Sequence, residues 1–196
     1  MRSIVAVVCT LLSVVSISSA QLTKWLLDRD HSSFGFAVSH LVISEVTGGF
    51  DDFAVDVVSD VDDFTDAKIT VVVKTASINT QNQKRDGHLR SDDFFNAEKF
   101  PEMRFVGKKM EKVSGNRYKL SGDLTIRDIT KPVTLDVKLG GVVKDPWGNT
   151  KAGFKVSGEV DRFEYGLKWN VTTETGGLVA GDVITIVCNL ELTKQK

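Results

Sequence analysis

Three histidines, a short charged cluster and two cysteines are the groups of this chain with the most chemical potential. His31, His40 and His88 could between them ligate one metal ion. Their spacings match no compact ligand motif, however, and no cysteine pair assists them, so no metal site is expected. Capping one end of a fold suits them better, because an imidazole donates and accepts a hydrogen bond at once. The segment Arg85-Asp86-Gly87-His88-Leu89-Arg90 gathers two guanidiniums, a carboxylate and an imidazole. On a helix Asp86 and Arg90 stand at i,i+4 and are expected to pair on the surface. A sharper reading places His40, Arg85, His88 and Arg162 at a polar rim, meeting the head group of a ligand. The arginine fork suits a phosphate or pyrophosphate, and any of these donors suits a quinone carbonyl.

Catalytic signatures are absent from the chain. It has no Gly-x-Ser-x-Gly elbow, no His-Glu-x-x-His and no glycine-rich phosphate loop. Carboxylates such as Asp128 and Glu164 are plentiful, but nothing isolates a pair in an apolar setting. No catalytic residue is assigned, and a hydrolytic enzyme ranks last among the functions considered. Cys188 alternates with Ile184, Ile186, Leu190 and Leu192, which on a strand places it on the apolar face as a small hydrophobe.

The opening residues read as an address. Arg2 precedes an apolar run from Ile4 to Ile17, and Ser18-Ser19-Ala20 supplies the small residues a signal peptidase recognises. Residues 1–20 are expected to be a signal peptide cleaved near Ala20, since the run is shorter than the about 20 apolar residues that span a bilayer. Cys9 would leave with it, so an exported product would have no internal disulfide. The remainder, 21–196, is long enough for one domain with its own core. With 25 basic and 26 acidic residues, the chain has a net charge of −1. That balance gives no field to hold nucleic acid or an anionic membrane, and no stable membrane insertion is expected.

The elements that must position these side chains are strands. Period-two alternation places Phe34, Phe36 and Val38 on one face of a first strand. It recurs at Phe53 to Val57, Ile69 to Val73, Met103 to Phe105, Tyr118 to Ile126, Val133 to Leu139, Phe154 to Val160 and Ile184 to Leu192. Ser114-Gly115-Asn116 and Asp145-Pro146-Trp147-Gly148-Asn149 are hairpin turns. Arg127 to Pro132 is a turn that delivers a proline to a strand's start. Alternation stops between about 79 and 101 in a short helical excursion. Thr80 or Asn82 caps it, Ser91-Asp92-Asp93 looks like a second helix start, and Phe94, Phe95 and Phe100 need burial.

The fold class is all-β: an eight-stranded antiparallel barrel with that excursion packed over one end. Closure removes exposed edges, and eight strands leave an interior that is filled by side chains or holds one small ligand. The expected lumen residues are Phe34, Phe36, Val38, Val71, Phe105, Leu124, Ile126, Phe154 and Ile186. A lumen lined this way suits a flexible hydrocarbon, because each CH₂ leaving water contributes about 0.8 kcal/mol.

The segments Trp25-Leu26-Leu27-Asp28-Arg29-Asp30-His31-Ser32, Phe34-Gly35-Phe36 and Ser77-Ile78-Asn79-Thr80 resemble the YceI-like proteins, lipocalin-like barrels associated with polyisoprenoid binding. The likeness continues in Arg85 to Phe95, its most specific part, and in Phe100-Pro101, Gly122-Asp123-Leu124-Thr125-Ile126, Thr130-Lys131-Pro132-Val133 and Arg162-Phe163-Glu164-Tyr165-Gly166. It covers essentially all of the chain after residue 20. Arg127-Asp128 departs from a turn where that family more often has a glycine. The resemblance implies a periplasmic or secreted barrel without a cofactor, holding a polyprenyl phosphate or quinone tail for carriage, storage or stress protection, and it admits a homodimer. The runner-up function is a solid barrel acting as a structural or protein-interaction module, with Val58, Val72 and Val142 on or near its outward faces.

Overall fold

The computed structural model describes residues 23–172 and 176–195; the expected signal peptide lies outside them. The chain forms a closed eight-stranded antiparallel barrel with one short helix. Three of the eight staves are broken. The first is β1 (Lys24–Leu27) and β2 (Ser33–His40), separated by a 3₁₀ turn at Arg29–His31. The second is β3 (Ser44–Phe50) and β4 (Phe53–Val58), and the third β5 (Lys68–Lys74) and β6 (Ile78–Asn79). Five unbroken strands follow: β7 (Glu102–Ser114), β8 (Arg117–Ile126), β9 (Ile129–Lys144), β10 (Thr150–Asp161) and β11 (Ala180–Lys194). The last strand closes the ring by pairing with both halves of the first, through Leu192–Lys194 on β1 and Ala180–Asn189 on β2.

Alternation decides which way each strand faces. Phe53, Val55 and Val57 are buried while Ala54 and Asp56 are exposed, and Tyr118, Leu120, Leu124 and Ile126 enter the core from β8. A one-residue slip would turn each set outward, so the apolar faces hold the register. The half-strands β1, β3 and β6 escaped the sequence reading for a physical reason. Each is short, and Ser44-Glu45-Val46-Thr47-Gly48-Gly49-Phe50 offers few apolar residues at period two.

Three local expectations are corrected. Ser91-Asp92-Asp93 does not start a second helix. The helix α1 (Gln83–Arg90), capped by the Asn82 side chain accepting from Arg85 N at 3.1 Å, is followed at once by turns. There Phe95 N donates to Leu89 O at 3.0 Å and Ala97 N to Arg90 O at 2.9 Å. The segment thus satisfies carbonyls that α1 leaves open at its end. The Asp86–Arg90 pair does not form either. Asp86 is buried and accepts from Thr80, whereas Arg90 donates to Ala76 O and Ile78 O. Pro132 is not at its strand's start, because Arg127-Asp128 is a two-residue hairpin and β9 begins at Ile129. Residues 129–135 pair with β8 alone, β10 joining only from Asp136. Pro132 therefore sits on a local edge, where a missing N–H is tolerated.

A candidate ligand-binding lumen

Side chains from all eight staves converge on two adjoining cavities. The inner one, about 90 Å³, is lined wholly by apolar side chains and Cys188; the outer one, near α1, measures about 250 Å³. Phe34, Leu124 and Ile186 line both and form a waist between them. Together the chambers reach the lower end of volumes typical of small-molecule sites, roughly 300–1,000 Å³. The interior is therefore neither solid nor an open tube.

Aromatic packing closes the inner end. Trp25 and Phe64 are almost fully buried, with ring centroids 4.8 Å apart, and Phe64 meets Phe154 edge-on at 4.8 Å. The Trp25 indole N–H donates to Ser59 O at 3.2 Å. Phe64 was not expected as a core residue, because it lies in the acidic loop Ser59–Asp66, where no period marks it. Burial pushes the Cys188 thiol up to about 12, against the pull of a backbone hydrogen bond, so it remains a protonated hydrophobe.

The structure places all nine expected lumen residues on cavity walls. Val71, Phe105 and Phe154 line the inner chamber, Phe36, Val38 and Ile126 the outer, and the three waist residues both. His40, Arg85, His88 and Arg162 all line the outer chamber, with Ser39 and Thr80. Polar character is thus confined to one end of a long apolar interior.

Each polar side chain is held by its neighbours. Arg85 donates from Nε to Thr80 Oγ1 at 2.8 Å and from Nη2 to Thr80 O at 3.0 Å. Among the described residues its Nη1 makes no hydrogen bond. His40 Nδ1 lies 2.9 Å from Val179 O. A carbonyl only accepts, so Nδ1 carries the proton, and in the neutral ring Nε2 is an acceptor. His88 Nε2 lies 2.8 Å from Asp93 Oδ2, and its ring packs edge-on against Phe94 and Trp169. Trp169 escaped the sequence reading because it stands in a loop with no alternation.

Arg162 differs from the others. It is only 3% exposed and donates to Gly181 O, Leu167 O, Trp169 O and Ala180 O at 2.7–2.9 Å. Four of its five N–H donors are therefore committed to main chain. Phe163 lies under the guanidinium at 4.3 Å. Arg162 shapes the mouth by tying the 162–169 corner to the start of β11.

The histidines do not converge. His31 lies away from both cavities, where it forms with Asp28 and Glu191 a group whose ligand atoms fall within 4.8 Å of one another. The Lys151 ammonium already bridges those two carboxylates, at 2.5 and 3.0 Å. Its hydrogen bond, more than the His31 contact, holds the Asp28 carboxyl down to about 2.

A closed antiparallel barrel with a two-chambered apolar lumen and one polar mouth defines the class of hollow β-barrels. A YceI-like domain model matches residues 25–192, and the chain belongs to the YceI-like family. A UPF0312 protein of Staphylococcus aureus is 39% identical over 173 residues, 88% of this chain and 98% of its own length. The solved YceI protein of Campylobacter jejuni is 37% identical with a TM-score of 0.69, covering 81% of this chain and 90% of that one. A polyisoprenoid binding domain from Saccharophagus degradans, implicated in plant cell wall breakdown, shares the fold at 15% identity and a TM-score of 0.60, covering 89% and 100%.

Proposed function

We propose that this chain is an exported, non-enzymatic carrier that holds an isoprenoid lipid in its lumen, with a polyprenyl phosphate or quinone head group at the outer chamber. The carrying observation is the segregation of character: an inner chamber without polar side chains, joined at Phe34, Leu124 and Ile186 to an outer one that holds His40, Thr80, Arg85 and His88. That is the outline of an amphiphile with a long tail and a small head. Tail burial supplies the affinity at about 0.8 kcal/mol per CH₂, and the polar end orients the molecule. The S. degradans domain is described as polyisoprenoid binding, which supports the same class of cargo here. The apolar run of residues 4–17 and the small residues at 18–20 support export to a periplasm or to the outside. Arg85 is the head-group donor of choice, since Thr80 fixes the guanidinium and Nη1 remains available.

Mass spectrometry of the protein from its own host, first native and then solvent-extracted, tests the reading. A stoichiometric increment that resolves into a polyprenyl compound is the expected result. A bare polypeptide mass that stays unshifted after incubation with polyprenols and quinones would overturn it. Arg85→Ala is then expected to weaken binding of a phosphorylated polyprenol but not of its neutral alcohol. Equal loss for both would make Arg85 structural.

A further inference from the structure

The hairpin joining β2 to β3 is built against ordinary turn chemistry. Its tip is Leu41-Val42-Ile43, and Leu41 and Val42 both adopt left-handed backbone, at φ 53° and 64°. That region is rare for an aliphatic residue and rarer for a β-branched one; water-facing hairpin turns place asparagine or glycine there. The side chains face water as well, with Val42 73% and Ile43 84% exposed. Single exposed hydrophobes are unremarkable, but three in succession on a strained turn are not.

The location gives this tip a meaning. Just before it, Val38, Ser39 and His40 line the outer chamber. Leu41 N and His40 Nδ1 both engage Val179 O, at 3.0 and 2.9 Å, and Val179 N donates to Val171 O at 2.8 Å. The tip is thereby braced against the loop beside the chamber, whose Val171 is also exposed. Among the described residues, the ionisable groups closest in sequence to the tip and to Val171 are His40, Glu45 and Lys168, which form no run of cations. By contrast Trp147, 83% exposed, caps a well-formed turn in which Asp145 accepts from Trp147 N and Asn149 N. It lies on neither cavity.

We infer that the Leu41–Ile43 tip, with Val171, inserts into the surface of a lipid bilayer, so that the outer chamber faces the membrane when the lipid enters or leaves. The inference rests on the carrier reading above. A bilayer is the phase in which such a cargo resides, and it would take up apolar side chains that water does not. Without clustered cations the contact depends on apolar area and not on anionic lipid, and three residues give a reversible contact.

Flotation with phosphatidylcholine vesicles, at low and high salt, tests this with the purified full chain. The wild type and Trp147→Ser are expected to float equally, with little effect of salt. The triple variant Leu41→Asn, Val42→Gly, Ile43→Ser relieves the turn and removes the apolar contact, and it is expected to partition at least about tenfold more weakly. Because that variant keeps residues 1–20, unchanged flotation would assign binding to the apolar N-terminal run and overturn the inference. A wild type that stays with the aqueous phase would overturn it too, and concentration-dependent dimerisation lost in the triple variant would then assign the tip to a second copy. Bound lipid measured in the same samples separates the two readings. Isoprenoid without flotation sinks the docking surface alone; tip-dependent flotation of a chain that takes up no isoprenoid sinks the carrier reading and leaves a membrane-binding surface.

Discussion

Arg85 and Asp86, adjacent in the chain, meet through a single threonine. Arg85 Nε donates to Thr80 Oγ1 at 2.8 Å, and the Thr80 hydroxyl donates in turn to Asp86 Oδ1 at 2.6 Å. Asp86 also accepts from Thr80 N at 2.8 Å. One helix turn is thereby clamped to the end of β6, and the arginine at the outer chamber is held through Thr80, which lines the same chamber, and behind it by the buried Asp86.

Asp86→Ala leaves Thr80 N without its partner in a buried setting. The expected loss is about 1–3 kcal/mol of folding stability, read as a lower urea midpoint with an unchanged slope. A surface Asp86–Arg90 pair would have been worth under about 1 kcal/mol, so the size of the effect reports the geometry.

Arg162→Lys tests the mouth staple. Lysine keeps the charge but cannot reach four carbonyls from a planar fork. With each lost charged hydrogen bond worth about 1.5–3 kcal/mol, amides in residues 167–172 and 180–181 are expected to exchange much faster with deuterium, while those of β8 remain slow. Uniform acceleration across the barrel would instead place Arg162 in the global core.

Cys188 predicts an alkaline limit. Burial raises its thiol from 9.0 to about 12, so from pH 9 to 12 the unfolded chain binds fewer protons than the folded one. Stability contributed by the protonated thiol is full below pH 9 and falls as pH rises toward 12. Native protein at pH 8.5 is expected to resist iodoacetamide, while urea-unfolded protein is alkylated rapidly. Cys188→Ala is expected to flatten part of the alkaline decline.

Ile186→Phe tests the waist. Ile186 lines both chambers, and a larger ring there should separate them. Purified variant protein is expected to retain shorter lipids, or less of a long one, by mass spectrometry. An unchanged cargo length would show that the inner chamber holds none of the tail.

Much of this architecture is legible along the chain, because alternation is a local property. A strand with one face in a dry interior must place apolar residues at every second position, and Phe53-Val55-Val57 or Leu120-Leu124-Ile126 state that face directly. Gly115-Asn116 and the Asp145 turn likewise declare their hairpins. The cavity-wall residues and the apolar face of Cys188 follow from the same period, whereas Phe94 and Phe95 stand where alternation stops and are marked only by their aromatic type.

Tertiary structure alone decided the rest, because it concerns partners remote in sequence. Whether eight apolar faces leave space depends on how Phe34, Leu124 and Ile186 from three strands approach one another, and they narrow the interior without filling it. Arg162 lines the outer chamber, yet four of its donors go to carbonyls up to 19 residues away, a commitment no local pattern announces. Asp86 had an i,i+4 partner on paper, but a buried carboxylate needs hydrogen bonds more than a solvated ion pair, and Thr80 supplied two. Local period thus determines which side of a strand is dry, while packing determines what that dry side encloses and which polar groups remain at its mouth.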